Sequence, residues 1–150
     1  MYVSKLVISA RQSGFSLIEI LVVLVIMGLL VGIVAPNVMG RADEARLQKV
    51  FADFSAIQTA LRIYRLDNHV YPSTEQGLQA LVERPSLTPL AANWNQEGYL
   101  GSMPVDPWGR DYLYLSPGER GTYDIYSLGA DGAEGGSGQN ADYGNWQEQP

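Results

Sequence analysis

The chain has 150 residues, 46% of them hydrophobic, which is enough for one domain with a self-sufficient core. It contains no cysteine, so disulfides and thiolate metal sites are excluded. Its net charge is −6, and because Lys5 and Arg11 both lie ahead of residue 15 the remainder is more acidic still, which argues against nucleic acid as a partner.

The first element is an apolar run, FSLIEILVVLVIMGLLVGIVA, from Phe15 to Ala35, with Glu19 as its one charge. As a helix it spans roughly 30 Å, the thickness of a bilayer's hydrocarbon. Lys5 and Arg11 precede it, whereas Arg41, Asp43, Glu44 and Arg46 after it mix both signs; the asymmetry predicts a cytoplasmic amino terminus. No Ala-x-Ala cleavage signal follows the run, so hydropathy alone reads it as a signal anchor. Gly28, Gly32 and Pro36 recur every four residues and mark either a bendable segment or a face where helices approach closely.

Immediately before and within this run stand Ser13-Gly14-Phe15-Ser16-Leu17-Ile18-Glu19. This motif resembles the type III signal of type IV pilins and pseudopilins. The resemblance implies that prepilin peptidase cuts after Gly14 and that Phe15 is N-methylated. Residues 1–14 are then a leader, 15–36 the transmembrane half of the first helix, and 37–150 a periplasmic globular domain. A carboxylate in a bilayer costs a few kcal/mol or more and needs a partner or a proton. For Glu19 the cut supplies a partner, the new α-amino group of Phe15, and the resemblance implies that this group comes from a neighbouring subunit during assembly.

Beyond Pro36, Leu47, Val50, Phe54, Ile57, Leu61 and Tyr64 keep spacings of three and four, a stripe that calls for one apolar partner face. The helix is predicted to end near Leu66 to Asn68, after about 50 residues or roughly 75 Å. His69 is the single histidine and reads as a surface or packing residue. Ser73-Thr74-Glu75-Gln76 forms a capping box ahead of Leu78, Leu81 and Val82, which predicts a second helix of about ten residues. Met103 to Gly109 reads as a rigid turn carrying Trp108, and Tyr112–Leu115 and Tyr123–Ser127 as a two-stranded hairpin lying over the helix stripe.

From Leu128 to Trp146 the chain is rich in glycine and carries Asp131, Glu134 and Asp142. Such a composition suits either a hard cation such as calcium or an unstructured loop, and it lacks the ligand spacing of an EF-hand. Residues 71–81 (YPSTEQGLQAL) and 103–118 (MPVDPWGRDYLYLSPG) look like the corresponding stretches of the major pseudopilins of type II secretion systems, within the type IV pilin-like superfamily. Similarity extends over nearly the whole chain. It implies an α+β fold, with a long amino-terminal helix packed on a small antiparallel sheet and a calcium-binding carboxyl-terminal loop.

In that family the loop opening Ser-Leu-Gly-Ala-Asp-Gly holds a structural Ca2+, and Ser127 to Gly132 repeat it. The ligands so implied are Asp131 and Asp142, with Leu128, Ala133, Ser137 and Gln139 as candidate oxygen donors. The function implied is that of the major subunit of a pseudopilus in the bacterial inner membrane and periplasm. Its partners would be other copies, prepilin peptidase, minor pseudopilins and the inner-membrane assembly platform. An alternative is a type IV pilin for adhesion or motility, which the lack of cysteine disfavours. Catalysis would have to draw on Asp106, Asp111, Asp124 and Asp131, all in turn or strand contexts that already account for them, and no nucleotide-binding loop is present.

Overall fold

A computed structural model describes residues 14–148, with the backbone alone for 32–39. The expected leader, residues 1–14, therefore lies outside the described residues except for Gly14. Helix α1 spans Leu17–Asn68, and contacts divide the chain into two units, Met1–Gly40 and Arg41–Pro150.

In the first unit every large apolar side chain described from Leu17 to Val31 is at least 45% exposed, so among the described residues nothing covers this stretch. The helix assignment passes through Gly28, Gly32 and Pro36 without a break, and a Cβ added at Gly28 would meet nothing within 4 Å. Among the described residues no helix is long and apolar enough to cross a membrane; the expected span, 15–36, is described with side chains only as far as Val31.

The second unit has its own core. Val50, Phe54, Ile57, Leu61 and Tyr64 of the expected stripe are buried, joined by Phe51 and Ala60, because spacings of three and four keep them on one side of the helix. Against them pack Leu78, Leu81, Tyr112, Tyr114 and Ile125, with Phe54 meeting Tyr112 edge-on at 5.3 Å. The helix ends at Asn68, and His69 follows in a left-handed conformation at φ 67°, donating its N–H to the Arg65 carbonyl at 2.8 Å. This is a helix stop of the type usually given to glycine or asparagine.

The capping box forms, but the helix it was expected to start does not. Ser73 Oγ accepts from Gln76 N at 3.3 Å and Gln76 Oε1 accepts from Ser73 N at 2.9 Å. Gly77 then turns to φ 62°, and only a single 3-10 segment, Leu78–Leu81, follows. The Gln76 side chain is drawn elsewhere, donating Nε2 to the carbonyls of Leu87 and Pro89 at 2.6 and 2.8 Å. A residue that closes the box and also ties down the 85–91 loop cannot lead a free-standing helix.

The sheet has three antiparallel strands in the order β1 (Leu113–Leu115), β2 (Asp124–Ser127) and β3 (Tyr143–Gly144). Tyr114 pairs with Ile125, and Ser127 with Tyr143. The two expected strands are present. The third was missed, and it returns the glycine-rich loop to the edge of β2.

Candidate functional site

Gly14 and Phe15 stand just ahead of α1, both exposed, Phe15 at 78%. Glu19 lies in the first turn of α1, also exposed. Its position favours a carboxylate, since the helix amino terminus leaves unpaired N–H groups and a positive dipole end. Among the described residues no ion pair includes it.

At the other end of the chain, the loop between β2 and β3 is held at its root by the turn before β1. Asp106, 3% exposed, accepts from the amides of Trp108 and Arg110 at 3.0 and 2.8 Å through Oδ1, and from Ser127 Oγ at 2.7 Å through Oδ2. The Arg110 guanidinium donates to the carbonyl of Gly129 and, at 3.5 Å, to that of Ala130. Gly129 is required here: its φ is 63°, and a Cβ would fall 2.5 Å from the Ala141 carbonyl oxygen. The Asp106–Arg110 clamp was not foreseen as part of the loop, because nothing local ties residue 110 to residue 129. The DPWGR turn was the visible signal.

A cavity of about 310 Å³ lies beside this root, lined by Leu115, Glu119, Arg120, Asp124, Tyr126, Leu128, Glu134, Asp142 and Trp146. Of the expected ligands it collects Leu128 and Asp142, and it adds Glu134, which was not in the expected set. Asp142 Oδ2 accepts from Gly135 N at 2.9 Å, while its Oδ1 is buried with no hydrogen-bond partner among the described residues. A buried carboxylate oxygen without a partner is costly, and a hard cation satisfies it. In that respect the cavity fits calcium.

The other expected ligands are distributed differently. Asp131 is exposed, accepts from Ala133 N at 3.1 Å and does not line the cavity. Ala133 and Ser137 are exposed as well. Gln139 is committed elsewhere: its carbonyl accepts from Ala130 N at 2.7 Å, and its side chain sits on α1, donating to Asp43 at 2.7 Å and accepting from Arg46 at 3.2 Å. No group of three His, Cys, Asp or Glu side chains able to share a metal is found among the described residues. A cation here would therefore depend on main-chain oxygens beside its carboxylates.

Of the four aspartates that catalysis would need, Asp106 and Asp124 are buried and engaged with the backbone. Asp124 Oδ2 accepts from the amides of Glu119 and Arg120 at 2.8 and 3.1 Å, which closes the β1–β2 turn.

Comparison with known proteins gives two family matches. Residues 37–146 match the family described as type II secretion system (T2SS), protein G, and residues 9–35 match the prokaryotic N-terminal methylation motif. The chain is 57% identical over 136 residues to the type II secretion system core protein G of Pseudomonas aeruginosa, covering 91% of this chain and 96% of that one. To its counterpart in Vibrio cholerae it is 51% identical over 139 residues, covering 93% and 94%. Among solved structures it is similar to the major pseudopilin from the type 2 secretion system of enterohaemorrhagic Escherichia coli, at 48% identity and a TM-score of 0.66, with 74% of this chain and 95% of that one covered.

Proposed function

The chain belongs to the family of type II secretion system protein G, and from that premise we propose that it is the major structural subunit of a pseudopilus whose growth drives folded proteins across the outer membrane. The observation that carries this reading is the uncovered apolar stretch of α1. A helix that is apolar all round is stable only inside a membrane or a protein interior, and among the described residues of its unit nothing supplies either. Before assembly, residues 15–36 sit in the inner membrane with the amino terminus cytoplasmic and 37–150 in the periplasm. In the fibre, the same helices cover one another.

On this reading prepilin peptidase removes residues 1–14 and the new amino terminus of Phe15 is methylated, in keeping with the methylation motif at 9–35. Glu19 then pairs with the Phe15 amino group of a neighbouring copy: packed apolar helices supply the attraction and the charge pair sets the axial register. Minor pseudopilins and the inner-membrane assembly platform are the further partners.

The loop is proposed to hold a structural Ca2+ through Asp142 and Asp131 with main-chain oxygens of Leu128, Ala133 and Ser137, Asp131 turning inward from its exposed position on the loop as the ion binds; Gln139, tied to α1 and Ala130, is left out. When bound, the cation supplies charge neutralisation and a cross-link between the two ends of the loop, as a disulfide would. The acidic lining and the unpaired Asp142 oxygen support this assignment. The type IV pilin alternative has no observation in its favour.

Amino-terminal sequencing and mass measurement of the mature protein test the reading. The product is expected to start at Phe15 with one extra methyl group. Gly14→Ala should leave the leader in place, while Glu19→Ala should be cut normally and fail to assemble. A native product that retains its first fourteen residues would refute the scheme.

A further inference from the structure

Near the carboxyl-terminal end of α1, Arg62, Arg65, Leu66, His69 and Tyr71 line an open groove of about 540 Å³. Arg62, Arg65 and His69 are exposed, and Leu66 is 75% exposed. Arg65 lies over the Tyr71 ring, 5.2 Å from its centroid, and its Nη1 is 3.4 Å from Tyr71 Oη, so the ring holds the guanidinium at the groove wall.

Two features set this groove apart. Among the described residues neither arginine has an ion-pair partner, which is true of Arg41, Arg84 and Arg120 as well, but here two such arginines line one groove. The nearby acid, Asp67, accepts instead from the Tyr99 hydroxyl at 3.0 Å. Second, the groove is a basic and apolar patch on a chain with 16 acidic and 10 basic residues. Long-range repulsion disfavours self-association of such a chain unless a local cationic surface meets its carboxylates.

We propose that the Arg62–Arg65 groove docks an exposed carboxylate-bearing surface of a second copy of this chain. Charge complementarity selects the occupant. Every copy presents exposed acids, among them Glu44, Asp111 and Glu134, and because groove and acids are different surfaces, a head-to-tail contact between them repeats along a fibre. Leu66 adds apolar area beside the charges, and the contact weakens as salt shortens the Debye length.

This inference rests on the reading of the chain as a self-assembling subunit, and the experiment separates the two. Arg65→Lys keeps the charge and introduces an amine that a carbodiimide couples directly to a touching carboxylate. With the full processed chain assembled in membranes, this variant is expected to give a ladder at integer multiples of the chain mass in which the cross-linked peptides join residue 65 to a carboxylate of this same chain, a linkage that the parent cannot form. Arg62→Glu/Arg65→Glu should cut the sedimenting fraction by about tenfold with an unchanged melting curve. An Arg65→Lys chain that assembles without that ladder, or whose introduced amine is coupled to another protein, overturns the proposal and leaves assembly standing. A wild-type chain that never sediments overturns both.

Discussion

On the proposed reading, Asp142 divides its work between fold and ligand. One oxygen orders the loop through Gly135 N and the other is buried with nothing to accept from among the described residues. Asp142→Ala should therefore abolish the difference in melting temperature between calcium-loaded and chelated protein. In the parent chain that difference corresponds to about 2.7 kcal/mol at a calcium concentration 100 times the Kd. Tyr114 works by burial. Its hydroxyl donates to the Pro72 carbonyl at 3.0 Å, and desolvation, the largest cause, pushes its pKa up to about 12 from an unfolded value of about 10. The folded state holds that proton more tightly, so this contribution to stability is complete below about pH 10 and is lost as pH rises toward about 12. Thermal melts across that window should fall less steeply for Tyr114→Phe than for the parent.

Among the elements, the long helix and the hairpin were legible because each has a local signature: a three-and-four stripe for α1, and two alternating runs around Ser116-Pro117-Gly118 for β1 and β2. The helix stop at Asn68 was equally local. What sequence reading missed was set at a distance. β3 is two residues long, too short for alternation to show, and exists because Tyr126 and Ser127 offer it a sheet edge. Gln139 was read as a possible oxygen donor, yet it bonds to Asp43, 96 positions earlier, and no spacing rule reports that. The capping box was correctly seen and wrongly extended, since Gln76 also serves the carbonyls of Leu87 and Pro89. Gln76→Ala removes the side-chain half of the box and both of these bonds together, and should cost about 2 kcal/mol, read as a lower urea midpoint at unchanged m-value.

Taken whole, the molecule has two units with opposite requirements. The head, from Arg41 on, buries its own core and fixes its loop through Asp106, Arg110 and Gln139. The amino-terminal stretch leaves its apolar side chains uncovered among the described residues, which is what the proposed membrane insertion and assembly would satisfy. The same division explains where the sequence was informative: the methylation motif is contiguous at 9–35, whereas the cavity proposed for the cation draws Leu128, Glu134 and Asp142 together only through the return of the chain at β3. That cavity also has an indole in its wall. Trp146 lies there with the Arg120 guanidinium 3.9 Å from its ring centroid, while the Trp94 indole N–H is fixed to the Ala80 carbonyl at 2.8 Å, away from this wall. If the proposed ion binds there, the protein carries its own optical gauge: emission should shift in intensity as calcium is titrated in, without any attached dye, and Trp146→Phe should reduce that signal to what Trp108 reports from its stack on Tyr143 while leaving the thermal stabilisation intact.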